Sequence, residues 1–154
     1  MHVFLDIDGV LATEATWDRW FADGGRPDRR GLLFDEDCVK HVQALCERLD
    51  AKVVVSSSWR ELYSWEALVG LLRGAGLRAP IVGVTPLHPD RHRGAEIAAW
   101  MASHGLEDGD VLVLEDWEDV SPLQHRQVQP EFLGERAGFR REHLLAALAI
   151  AGVA

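Results

Sequence analysis

A chain of 154 residues with 25 acidic against 16 basic side chains, a formal net charge of −9, lacks the basic surface that drives non-specific binding along duplex nucleic acid, although a local basic pocket for one phosphate stays open. Its 47% hydrophobic and 27% charged residues suit one globular domain large enough to bury a core. No apolar run approaches the roughly 18 residues of a membrane span, the start reads as a strand and not as a signal peptide, and a cytoplasmic enzyme or binding protein is expected.

The first element predicted is a strand over Val3-Phe4-Leu5, which turns abruptly into Asp6-Ile7-Asp8-Gly9-Val10. Residues two apart in extended backbone point to one side, so Asp6 and Asp8 can face one small volume. Two carboxylates held together are tolerated with a cation between them or a proton shared. Glu14 to Ala22 reads as a short helix with Trp17, Trp20 and Phe21, followed by a polar surface loop from Asp23 to Gly31. Asp35 is placed to cap a helix whose apolar face is Val39, Val42, Leu45, Cys46 and Leu49. Cys38 and Cys46 on that helix fit neither a disulfide nor a metal motif, and core packing is expected of both.

Lys52 to Ser56 reads as a strand apolar on both faces, Ser64 as the cap of a helix through Leu68, Leu71 and Leu72, and Pro80 to Thr85 as a third strand. A loop rich in His, Pro and Arg leads into a helix from about Gly94 to His104, with Ile97 and Trp100 or Met101 inward. A fourth strand, Asp110 to Leu114, ends at Glu115-Asp116; a turn near Ser121, a weak strand around Val128 and a helix from Arg140 to Ile150 complete the chain. Strands separated by helices specify an α/β fold, a parallel sheet with helices on both faces.

Ligands of such sheets sit beyond the carboxyl ends of the strands, so the residues after each strand belong together. They are Asp6 and Asp8; Ser56, Ser57, Ser58, Trp59 and Arg60; Arg91 and Arg93; and Glu115 and Asp116, with Asp119 nearby. Acids, hydroxyls and arginines converge on one edge. Of the seven histidines, only His88 and His92 lie in sequence beside Arg93; the rest read as structural or surface residues. Trp59 reads as a packing residue behind the edge.

These segments resemble, in order, the four motifs of the haloacid dehalogenase (HAD) superfamily of phosphohydrolases. They look most similar to the small HAD domains of Swiss Army Knife RNA repair proteins: Leu5 to Val10, Ser57 to Arg60, and Arg93 to Ile97 with Trp100 just beyond carry the likeness, and Gly138-Phe139 with His143-Leu144 carry it more loosely. The resemblance implies a three-layer Rossmann-like HAD fold, with a central, mainly parallel five-stranded sheet in a single domain over 1–154 and a small cap insertion at about 11–34. It implies a phosphatase in which Asp6 is the nucleophile, forming an aspartyl-phosphate, and Asp8 serves as acid and then as base. Mg2+ would be held by Asp6, the Asp8 main-chain carbonyl and Asp116. A hydroxyl of Ser56 or Ser57 would bond the phosphoryl group, and Arg93 would balance its charge. Glu115 departs from the aspartate pair common in the fourth motif; it, or Asp119 as a substitute, would stand next to the metal.

The implied substrate is a phosphomonoester. The slight insertion suggests an open site able to admit a nucleic-acid or nucleotide end, with a small-metabolite phosphatase or a non-catalytic binding domain as alternatives. Its Trp17, Trp20, Arg19, Arg26, Arg29 and Arg30 include aromatics able to stack on bases and arginines able to hold phosphates. Trp17, Arg60 and Arg91 are the expected substrate contacts, against the plainer reading that the aromatics at helical spacing are packing residues.

Overall fold

A strand lying between two helical layers must present apolar side chains to both, and each central strand here is such a run. The computed structural model describes residues 1–153, apart from the side chains of residues 27–29. Its strands are β1 (His2–Leu5), β2 (Lys52–Val55), β3 (Ile81–Val84), β4 (Val111–Leu114) and β5 (Gln127–Val128). They form one sheet in the order β3-β2-β1-β4-β5, parallel throughout. The chain therefore winds outward from β1 in one direction and then returns to build the other half, which makes the edge beside β1 the switch point where α/β sheets bind ligands.

The register sets the site. Leu5 lies beside both Val55 and Leu114, so the three central strands end level. The ladder continues one step, with Asp6 N donating to Leu114 O at 3.0 Å and Ser56 N to Leu5 O at 2.8 Å. Asp6, Ser56 and Glu115 thus leave the sheet side by side.

Alternation along the strands supplies the layers. Val3, Leu5, Val53, Val55, Leu112 and Leu114 face a core shared with α2 (Glu36–Leu49), α4 (Trp65–Gly74) and α6 (Arg141–Ile150). Phe4, Val54, Val111 and Val113 face the opposite way, onto Ile97, Trp100 and Met101 of α5 (Arg93–His104). Both candidates for the inward position on α5, Trp100 and Met101, are buried.

Caps explain where the helices begin. The Asp35 carboxylate accepts from the amides of Asp37 at 2.9 Å and Cys38 at 3.1 Å, and Ser64 Oγ accepts from Ala67 N at 3.2 Å. His92 Nδ1 accepts from Ala95 N at 3.2 Å and opens α5. Between β1 and α2 stand α1 (Glu14–Ala22) and a 3₁₀ helix over Pro27–Leu33, where a polar loop was expected. A second element absent from the sequence reading is α3 (Trp59–Leu62), too short to show any period. Cys38 and Cys46 are free and buried, and burial pushes both thiols up to about 12. Among the described residues, no helix is long and apolar enough to cross a membrane.

Candidate active site

At the carboxyl ends of β1 and β4, one carboxylate oxygen from each of Asp6, Glu115 and Asp116 lies within 4.8 Å of the others. Backbone makes this proximity possible. Gly9 has φ +74°, and a Cβ there would collide with the carboxyl group of Asp116, so only glycine lets the turn after β1 meet the turn after β4. At Gly94 a Cβ would overlap the carbonyl oxygens of Val120 and Ser121, so the first turn of α5 rests directly on the loop beyond β4. That seat brings Arg93 over the acids. Its Nη2 is 3.9 Å from Asp6 Oδ1, and its Nε is 2.7 Å from Glu115 Oε2.

Charge is out of balance here. Glu96, 3% exposed, joins the three acids as a fourth and takes Arg60 Nη2 at 2.6 Å and Arg93 Nη1 at 3.4 Å on one oxygen. Four carboxylates therefore face two guanidiniums. Burial pushes the Asp6 carboxyl up, against the pull of Arg93 and of hydrogen bonds with Glu115 and Ser57. Burial and then the charge of Asp6 push Glu115 up to about 10, so that at neutral pH the neighbouring Asp6 and Glu115 carboxyls hold a proton between them. Asp116 is also raised, by burial first and by the charge of Asp8 in addition.

Among the described residues, the buried side-chain polar atoms without a hydrogen-bond partner are Ser56 Oγ, Arg60 Nε, Thr85 Oγ1 and Glu115 Oε2. All four follow the carboxyl end of a strand. The Arg93 contact to Glu115 Oε2 is an ion pair out of line with the N–H, which leaves that oxygen unbonded. Each such orphan costs about 1–3 kcal/mol, and their confinement to one edge marks it as built for a ligand. An all-oxygen donor set with an orphaned buried carboxylate oxygen fits a hard divalent cation.

The expected site residues fall into three groups. Asp6, Arg93, Glu115 and Asp116 line one cavity of about 360 Å³, together with Arg60, Arg91 and Asp119. Of the serines, Ser57 Oγ accepts from Trp59 N at 3.4 Å and helps to hold the Asp6 carboxyl down, Ser58 lines the cavity and Ser56 is buried with its hydroxyl unpartnered. Asp8 stands apart: its carboxylate accepts indole N–H bonds from Trp17 at 3.0 Å and Trp59 at 2.8 Å and is not in the three-acid cluster.

The remaining expected residues already have partners within the protein. Trp17 is committed to Asp8, not held free for a base. Arg60 is 6% exposed and locked to Glu96. Arg91 is exposed but forks onto Glu61 at 2.6 and 2.7 Å. Asp119 pairs with His92 Nε2 at 3.1 Å and lies outside the acid cluster, so it does not replace Glu115. In the insertion, Arg19 donates to the Leu32 carbonyl, Arg26 pairs with Asp23, and Arg30 lies over the Tyr63 ring at 4.7 Å. The Arg29 side chain lies outside the described residues. Sequence reasoning missed Trp117, 68% exposed at the cavity rim, and the burial of Glu96; a tryptophan directly after Asp116 was the available signal for the first.

Fold and site together define a parallel α/β protein whose acid-rich centre sits at the switch point of its sheet. The model of the HAD domain in Swiss Army Knife RNA repair proteins matches residues 2–144. The chain belongs to this family, and with it to the HAD-type hydrolases. Among solved structures, a haloacid dehalogenase-like family hydrolase from Streptococcus pneumoniae is similar at 13% identity and a TM-score of 0.48, covering 95% of this chain and 90% of that one. No curated protein matches.

Proposed function

We propose that the protein is a Mg2+-dependent phosphatase that hydrolyses a phosphomonoester through an aspartyl-phosphate. The observation that carries this reading is that four carboxyl groups, those of Asp6, Glu96, Glu115 and Asp116, face only Arg60 and Arg93, an excess of acid that the metal-free protein offsets with a proton. A divalent cation supplies that charge without a proton. Asp6 and Asp116, with Glu115 beside them and the Asp8 main-chain carbonyl, would hold it. When bound, the ion screens the carboxylate nucleophile from the phosphate dianion it attacks.

The residues divide the work. Asp6 forms the new O–P bond in line with the ester oxygen, which leaves with the electron pair of the broken bond and takes the Asp8 proton. Water then attacks the aspartyl-phosphate, Asp8 accepts its proton, and inorganic phosphate departs. Arg93, 3.9 Å from Asp6 Oδ1, balances charge on the phosphoryl oxygens. A hydroxyl of Ser56, which is buried without a partner, or of Ser57 contacts the phosphoryl group.

The favoured substrate is a nucleic-acid or nucleotide end. The family's occurrence in RNA repair proteins supports this, as does the exposed Trp117 at the cavity rim. Extended duplex binding is not expected at a net charge of −9. The test is a phosphatase screen with and without Mg2+ over p-nitrophenyl phosphate, nucleotides, sugar phosphates and end-phosphorylated oligonucleotides, with Asp6→Asn in parallel. Turnover that survives Asp6→Asn sinks the mechanism. Turnover of free nucleotides and sugar phosphates alone assigns the protein to small metabolites, and none on any phosphomonoester makes it a binding domain.

A further inference from the structure

Both oxygens of the Asp8 carboxylate are held by tryptophans from different elements. Trp17 Nε1, on α1, donates to Oδ1 at 3.0 Å, and Trp59 Nε1, at the start of α3, donates to Oδ2 at 2.8 Å. The two rings meet edge-on at 6.3 Å. Trp59 is 3% exposed and packs on Phe34 and Tyr63; Trp17 packs on Trp20 and Phe21. Neither indole is free to follow a rotating carboxyl group.

We propose that Trp17 and Trp59 are positioning residues that clamp the proton-transferring carboxyl of Asp8 and aim it at the leaving oxygen of the substrate. This rests on the reading of Asp8 as acid and base. An indole N–H donates and never accepts. A proton on Asp8 therefore cannot point at either tryptophan and must occupy one of the roughly two lone-pair sites left free of the carboxyl group's four. The clamp fixes the carboxyl plane and so the direction of the proton, which converts a rotor into an oriented donor. When the proton passes to the leaving oxygen, the ester O–P bond breaks and the Asp6 O–P bond forms. The resulting Asp8 carboxylate is then met by two N–H dipoles already in place. The segment between β1 and α2 thus acts on the chemistry through Trp17.

Leaving-group dependence provides the test, because p-nitrophenolate departs without a proton and an alkoxide does not. In the magnesium-loaded protein, Trp17→Phe and Trp59→Phe are expected to lose about tenfold in kcat on glycerol phosphate, against less than about twofold on p-nitrophenyl phosphate. Asp8→Asn is expected to show the same bias more strongly, about a hundredfold on the alkyl ester. Equal losses on both substrates in the tryptophan variants, with the bias kept in Asp8→Asn, overturn the clamp and leave the proton donor standing. Equal losses in Asp8→Asn overturn the donor and the clamp with it. Trp17→Phe keeps the test open if the buried Trp59→Phe does not fold. A second readout needs no turnover: in the metal-free protein, Asp8→Asn should move two of the six indole N–H resonances and leave the other four. Six unmoved resonances overturn the proposal.

Discussion

Two arginine–carboxylate sites in this molecule use the same chemistry to opposite ends. Where the Asp35 cap of α2 meets the start of α6, Arg140 forks onto Asp35 at 2.9 and 3.0 Å, and Asp35 also takes two helix amides. Burial raises the Asp35 carboxyl, but the Arg140 hydrogen bonds, the Cys38 amide and the Arg140 charge outweigh it, and the net shift is down. At the carboxyl edge of the sheet, Arg93 serves Asp6, Glu96 and Glu115 at once, and both Asp6 and Glu115 are shifted up. One base per acid makes a joint; two bases among four acids, with Arg60 on Glu96 alone, leave charge uncompensated. The first site stabilises the fold, and the second is the one that the proposed cation would complete.

The contrast breaks most sharply at the nucleophile. Asp6→Asn should reduce Mg2+-dependent turnover of p-nitrophenyl phosphate at least about a thousandfold, while the melting temperature of the metal-free protein does not fall. Glu115→Gln removes a carboxyl that the folded protein must keep protonated. It should weaken Mg2+ binding about tenfold, read by calorimetry, and make the metal-free protein more stable at pH 8. The joint should respond in reverse: Asp35→Ala is expected to cost about 2 kcal/mol in denaturant unfolding, through the lost cap and the stranded Arg140, with kcat unchanged.

Acidity sharpens the same difference by a few degrees of melting temperature. Glu115 holds its proton more tightly folded (about 10) than unfolded (4.5), so metal-free stability should decline as pH rises across that window. Asp35 has the opposite sign: its contribution is present above the unfolded value of 3.8 and is lost as pH falls through its lowered folded value. Added Mg2+ should therefore raise the melting temperature more at pH 9 than at pH 6. Equal gains at both would contradict the shared-proton description of Glu115.

What the sequence disclosed was local or set by a period. Asp35 and Ser64 announce caps because a cap bonds amides two or three residues away. The gathering of Asp6, Arg93, Glu115 and Asp116 follows from strand ends, since parallel strands in level register deliver the residues beyond them to one edge. The hidden features were contacts between distant positions. Nothing near Trp59 states that its indole meets a carboxylate 51 residues earlier. Glu96, at a helical surface spacing from Arg93, gives no sign that Arg60 will draw it inside. The partners of Arg60 and Arg91 were hidden for the same reason, since Glu96 and Glu61 come from other segments.

Position 9 illustrates what such crowding does to a gene. Asp116 occupies the space where the first carbon of any side chain at residue 9 would lie. A library randomised at codon 9 would thus report on the placement of the Asp116 carboxyl, whereas codons 10 and 11, whose Val and Leu are buried, would report on core packing. Shortening residue 116 to make room would discard a carboxylate of the cluster. No single-step path leads away from this glycine with the site intact, so codons 9 and 116 can change only together and at the expense of the chemistry.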